Sequence, residues 1–349
     1  MGNYRFIQLD VFTNQAFAGN PLAVFPEAEG LTDEEMLKIA REMNLSETVF
    51  VLKPDAPPAV RREANFENKN DDEMLAGSET QVKGGKSQTR TKQPEVLRRL
   101  RIFTPTREIP FAGHPVVGTW NALARAGVVP LPEKGNGWTR ILHEVGIGIL
   151  PVDIEFKDGQ PLQVVMTQGK PEMGPVMEDS HEQADLTRAL GLASEDLDES
   201  LPIQIISTGL PFLAVPVRSL ADLRSCKVNA ALLTEVYKRA GATGCCPFSR
   251  ETLEVGAARA HARMFAPDDN IPEDAATGSA AGALGAYLVH HGALPDTPVE
   301  GVFKFVIEQG DFINRPSRIH VDVKGQARAV ARVRVGGPSV VVAHGELVF

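Results

Sequence analysis

The stretch Ile271-Pro272-Glu273-Asp274-Ala275-Ala276-Thr277-Gly278-Ser279-Ala280-Ala281-Gly282, running on into Ala283-Leu284-Gly285-Ala286-Tyr287-Leu288, decides how the rest of the chain is read. An acidic turn meets a Thr-Gly-Ser step, and a small-residue helical run follows. Thr277 or Ser279 suits the N-cap, and Gly278 lets a ligand approach the first free backbone N–H groups. Those donors and the helix dipole favour an anion such as a substrate carboxylate. Asp274 lies beside them, where it could orient or protonate a bound group. The same residues also describe an ordinary capped helix packed closely through Ala and Gly, and the stretch alone does not choose.

Comparison of the chain with itself adds a second such stretch. Arg101-Ile-Phe-Thr-Pro, followed by Ile109-Pro110, matches Arg263-Met-Phe-Ala-Pro, followed by Ile271-Pro272. Ala112-Gly113-His114 then parallels Thr277-Gly278-Ser279, and each leads into a helical run stopped by a glycine, Gly127 or Gly292. Upstream, Gly19-Asn20-Pro21-Leu22-Ala23-Val24 is echoed by Gly209-Leu210-Pro211-Phe212-Leu213-Ala214-Val215. The period is too long for a solenoid. Two homologous halves follow, each with strands, a helix, more strands and a glycine-tipped central helix. Two facing helix tips would form a cleft for a carboxylate between an acid and a base, able to move a proton without a cofactor.

Between these blocks the patterns are ordinary. Thr32 with Glu35 forms a capping box ahead of Met36, Leu37, Ile39, Ala40 and Met43. Leu45 to Val51 is a short β-prone run in which Glu47 is the odd residue; half-buried, it would have a raised pKa suited to acid–base work, and on an exposed edge it would merely face water. His114 precedes Pro115 at a helix start expected over Val116 to Ala126, where the dipole disfavours its charged form, although a His before Pro also suits a plain loop. From about 54 to 100 the composition turns polar, which reads as a surface insertion. Its Gly85-Lys86-Ser87 lacks the first glycine of a phosphate loop, with Thr80 in that place, and Gly146-x-Gly148 lacks the third glycine of a dinucleotide fingerprint. Basic Arg98-Arg99-Leu100-Arg101 beside acidic Asp71-Asp72-Glu73 admits a docking loop as well as a solvated one. Phe303 to Glu308, Arg318 to Val323, Ala329 to Val335 and Ser339 to Val342 read as consecutive antiparallel strands.

A net charge of -9 speaks against nucleic acid as the main partner, since phosphate binding needs clustered Lys and Arg. No apolar run approaches the roughly 20 residues of a membrane span, and the first residues read as strand rather than signal peptide. Three cysteines fit a reducing compartment, hence a cytoplasmic protein.

Taken in order, several blocks resemble the phenazine-biosynthesis PhzF-like family. They are Leu9-Asp10-Val11-Phe12 with Phe17-x-Gly19-Asn20-Pro21, Asn44-Leu45-Ser46-Glu47-Thr48, Phe103-Thr104-Pro105 with Pro110 to Pro115, Asp274 to Ala280, and Gln309-Gly310 with Arg315-Pro316-Ser317. The resemblance implies an α+β, diaminopimelate epimerase-like fold of two pseudo-symmetric domains, each a curled, mostly antiparallel sheet around a central helix. The division would fall at 1–143 and 144–349, with the last strand free to return to the first domain. It further implies a cofactor-independent isomerase, commonly homodimeric, that moves a proton within a cyclic amino acid-like carboxylate. Glu47 takes the proton-shuttling role, His114 and Asp274 assist, and Gly113, Gly278 and Ser279 hold the substrate; no metal is implied. Ala275 stands where the family usually has Pro, and the insertion departs from the family pattern. The epimerases of this fold use paired cysteines, which neither helix tip carries here. A non-catalytic small-molecule binder on the same scaffold is the alternative.

Overall fold

The computed structural model describes residues 2–55 and 96–349, together with the backbone of two strands, Gly77–Lys83 and Lys86–Lys92, paired antiparallel. The rest of the polar segment, with Asp71-Asp72-Glu73 and the role expected of an insertion, lies outside the described residues. Its far end is described and begins earlier than expected, because the strand Val96–Phe103 starts before Arg101. Val96, Leu100 and Ile102 are buried at alternate positions, and Arg98 at the same parity hides that alternation in the sequence. Those arginines are not a free basic patch: Arg99 pairs with Asp55, and Arg101 pairs with Asp33 and Glu108 at 2.6 Å each.

The internal repeat is visible strand by strand. In the first half the pairing order is Asn3–Val11, Asn20–Phe25, Glu47–Leu52, Val96–Phe103, Gly137–Val145, Gly148–Lys157 and Gln160–Thr167. The second half repeats it with Gln204–Ser207, Pro211–Pro216, Cys245–Ser249, Ala258–Ala262, Val302–Gln309, Ser317–Gln326 and Ala329–Gly337. In both halves the second and fourth junctions are parallel and the others antiparallel. First-half pairing therefore continues across residue 143 as far as Thr167.

Each half then lends a strand to the other. Glu172–Val176 leaves the first sheet and pairs with Gln204–Ser207 of the second, while Ser339–Val348 pairs with Asn3–Val11 of the first. The run of four antiparallel strands expected near the C-terminus is thus three, and the fourth crosses over. Pro338 cannot donate a ladder hydrogen bond, and its carbonyl instead takes the Phe12 N–H at 2.9 Å, which turns the chain into the first half. The two sheets also join edge to edge, through Gln160–Thr167 and Ala329–Gly337.

Inside each curled sheet lies one helix with no polar face to present to water. Gly113–Arg125 is buried from Gly113 to Ala124, and Gly278–His290 is buried from Ala280 to Val289. Trp120 and Tyr287, one from each helix, are among the largest fully buried side chains. Glycines bring the sheet close: a Cβ on Gly118 would meet Leu22 at 2.6 Å, and one on Gly285 would meet Val321 at 2.6 Å. The amphipathic helices Asp33–Met43, Ser180–Leu190 and Ala230–Arg239 cover the outer faces through separate clusters. Thr32 and Glu35 form the expected reciprocal cap of the first of these.

Candidate active site

Both central helices begin at a glycine, and both starts are open. Ala112 and Thr277 hold the N-cap positions in extended conformation, with no side-chain cap among the described residues. The first helix begins at Gly113 rather than Val116, which includes His114 and Pro115 in its first turn. Thr277 does not cap as its residue type suggests. Its hydroxyl donates to Asp274 Oδ2 at 2.5 Å, and Ser279 falls inside the helix as its second residue. A Cβ placed on Gly113 would lie 3.7 Å from both Gly278 Cα and Ser279 N, so the two tips face each other at contact distance. The uncapped first turns of both helices thereby lie against each other, and backbone donors at paired helix starts suit an anion.

Glu47 opens the strand Glu47–Leu52, which lies parallel to Asn20–Phe25 with Glu47 beside Leu22. Its side chain is buried, and Oε2 has no hydrogen-bond partner among the described residues. Burial, followed by the nearby Asp274 carboxylate, pushes its pKa up to about 8. His114 Nε2 lies 3.4 Å from that oxygen and likewise lacks a hydrogen-bond partner among the described residues. Burial depresses the His114 pKa to about 3, so this close pair is a neutral imidazole beside a reluctant acid and not an ion pair.

Asp274 comes from the second half. Its carboxylate accepts from Thr277 Oγ1 and from Asn20 Nδ2 at 2.8 Å, yet burial still lifts its pKa to about 6. Gln309 fixes the turn that carries it: Nε2 donates to Asp274 O at 2.8 Å, and Oε1 accepts from Thr277 N at 3.1 Å. Glu47, His114, Asp274, Gly113, Gly278 and Ser279, all singled out in the sequence, therefore gather around the two tips. Among the described residues, no group of three or more His, Cys, Asp or Glu side chains could hold a metal ion. The arrangement can hold an anion, present a carboxyl that changes protonation near neutral pH, and offer a second carboxyl and an imidazole to polar substituents.

The model of the family described as phenazine biosynthesis-like protein matches residues 9–66 and 86–345. The chain belongs to this PhzF family. It is 36% identical to an uncharacterized isomerase of Clostridium acetobutylicum, with 99% of this chain and 98% of that protein covered. It is 31% identical to the trans-2,3-dihydro-3-hydroxyanthranilate isomerase of Pseudomonas aeruginosa, covering 98% of each. A PhzF-family crystal structure from Bacillus anthracis superposes with a TM-score of 0.78 at 27% identity over 100% of both chains. In fold alone the chain also resembles a hydroxyproline epimerase from Agrobacterium vitis, with a TM-score of 0.58 at 12% identity, covering 99% of this chain and 91% of that one. The fold is the epimerase-like one that the sequence blocks implied, and the enzyme is an isomerase. A non-catalytic binder finds no support among relatives that carry isomerase names. No helix among the described residues is long and apolar enough to cross a membrane.

Sequence reasoning passed over Asn20, Ser46 and Gln309. Asn20 Nδ2 reaches Asp274 and Ala276 O, and its Oδ1 accepts from Ser46 at 3.3 Å. The repeat held a signal for Asn20. Gly19-Asn20-Pro21 matches Gly209-Leu210-Pro211 except at its centre, where one half keeps an amide and the other a leucine.

Proposed function

We propose that the enzyme moves a proton between two carbons of a small cyclic, amino acid-like carboxylate bound between the two helix tips. The observation that carries this proposal is the Glu47 carboxyl, buried, unpartnered at Oε2 among the described residues, and raised to about 8. As carboxylate, Glu47 takes the proton from one substrate carbon. The C–H electron pair delocalises toward the substrate carboxylate, which hydrogen-bonds to the N–H groups beginning at Gly113, Gly278 and Ser279. Glu47 then returns the proton to a second carbon, so no net acid, base or electron is consumed. Asp274 and His114 hold polar substituents of the ring, and the two sheets with their helices act as the two domains enclosing it. The proposal includes a cytoplasmic homodimer that works without metal or cofactor.

The test uses trans-2,3-dihydro-3-hydroxyanthranilate, the compound named for the Pseudomonas relative, as probe in deuterated water. The wild-type enzyme incorporates solvent deuterium at carbon. Glu47→Gln keeps the fold and probe binding while exchange falls by about a thousandfold or more, within the range of general acid–base contributions. Undiminished exchange in a folded Glu47→Gln enzyme removes Glu47 from the proton-shuttling role.

A further inference from the structure

One polar side chain inside the site has no role yet. Asn20 is buried, its Nδ2 donates to Asp274 Oδ1 at 2.8 Å and to Ala276 O at 2.8 Å, and it faces His114 Nδ1 at 3.4 Å. The amide cannot be turned over, because that would set its oxygen against a carboxylate and a carbonyl and lose both bonds. Its oxygen is also engaged, accepting from Ser46 Oγ at 3.3 Å. An amide nitrogen only donates, and its two hydrogens go to Asp274 and Ala276 O. The ring nitrogen it faces therefore meets the positive edge of the NH2 group, which favours a lone pair there over a second N–H.

We infer that Asn20 is a positioning residue that fixes His114 as the Nε2–H tautomer, leaving that proton on the Glu47 side of the ring and free for whatever binds beside it. With Nδ1 bare, the single ring proton of neutral His114 sits on Nε2, the atom 3.4 Å from Glu47 Oε2. His114 is then a fixed hydrogen-bond donor, while Glu47 keeps the proton traffic. The same amide bonds the second-half Asp274 and packs against the first-half imidazole, so the two sides of the cleft are set together.

The backbone around Asn20 is held in a way that matches this role. Gly19 has φ +64°, and a Cβ there would meet Thr13 at 2.5 Å. Its N–H donates to Pro316 O at 3.0 Å, and its carbonyl accepts from Arg315 Nε at 2.9 Å. Arg315 is anchored in turn on buried Asp10 at 2.6 Å, and the other Asp10 oxygen accepts the Phe17 N–H at 2.6 Å. A loop of the second half therefore clamps the residue before Asn20, far from it in sequence.

This inference rests on the isomerase site proposed above, and its test separates the two. Enzyme labelled with ¹⁵N in the histidine rings is measured by long-range proton–nitrogen spectra between pH 6 and 8, with His114→Gln identifying the resonance. Wild-type His114 shows an unprotonated Nδ1 and a protonated Nε2 throughout. Asn20→Ala shows the second tautomer, and kcat for deuterium exchange drops about tenfold while KM changes less than about threefold. Should circular dichroism show Asn20→Ala unfolded, Asn20→Ser carries the same two readouts. A wild-type ring protonated at Nδ1, or a variant with unchanged ring spectrum and exchange, overturns the assignment. A variant that changes tautomer in an enzyme showing no exchange upholds the positioning of His114 and counts against the proton-transfer reaction itself.

Discussion

Glu47 sits where a carboxylate is poorly solvated, and its environment offers little in return. Among the described residues Ser46 favours the charged form, while burial, the Asp274 carboxylate and, more weakly, that of Asp269 oppose it. The folded protein thus holds the Glu47 proton up to about pH 8, whereas an unfolded chain releases it near its ordinary value of 4.5. Between those two values the native state binds more protons than the unfolded state, so this residue lowers stability as pH rises. Above about pH 8 its cost is constant, and below 4.5 it vanishes. A glutamine in place of Glu47 has nearly the same shape and cannot ionise. Glu47→Gln is therefore expected to match the wild type near pH 4.5 and to exceed it by about 2 kcal/mol or more at pH 8. Urea titrations at several pH values check this, and a stability difference independent of pH would show that the carboxyl is not held neutral. Stability gained where activity is lost is the pattern of a group kept uncomfortable for its chemistry.

At the scale of elements, the second central helix is positioned by a small polar network at its tip. Gln168 Nε2 donates to Gly278 O at 3.0 Å, and Thr208 Oγ1 donates its one hydrogen to Gln168 Oε1 at 2.5 Å, with Ser279 O 3.4 Å away. The network fits only because Gly282 has no side chain. A Cβ there would run into Gln168 Oε1 and lie 2.8 Å from Val335. Gly282→Ala gains helix propensity but must displace Gln168, and a net loss of about 1–3 kcal/mol is expected, with the helix tip moved away from Gly113. Thermal melts and probe affinity measure the two parts; an unchanged melt with full affinity would mean that Gln168 has room to spare. The glycine-tipped helices and the repeat were legible in the sequence because short-range patterns record them. Glu47 stood out as a carboxylate in an apolar run, and His114 as a polar residue at a helix start. Gln168, Gln309 and Ser46 carry no such local mark, since their roles depend on partners from distant strands. The start of Val96–Phe103 was missed for a related reason, as Arg98 stands at the same parity as buried Val96, Leu100 and Ile102 and breaks the apolar alternation.

On the scale of the whole molecule, the two halves are tied by exchange of strands, and the exchange is unequal. Glu172–Val176 gives the second half five residues, of which Met173 and Gly174 are only partly covered and the others are more exposed or turned outward. Ser339–Val348 gives the first half ten residues and pairs with Asn3–Val11 from end to end, apart from a register shift between Gln8 and Leu9. Tyr4 stacks on Phe349 at 5.6 Å, and Gly2 donates to Phe349 O at 2.8 Å, so the pairing is fastened to its last residue. The first strand matters to the site because it carries Asp10, which holds Arg315 and through it the residue before Asn20. Removing residues 339–349 leaves that strand with one neighbour instead of two. The expected outcome is a loss of several kcal/mol, concentrated in the first half. Hydrogen exchange followed residue by residue should show amides of 3–11 losing protection while those of 317–326 keep theirs. Isotope exchange in the probe should fall with it, since Asp10 and Gly19 would no longer be held in register. Equal loss of protection in both strands would mean that the halves unfold as one unit, and that the last strand stabilises the molecule without singling out the Asn20 side of the cleft.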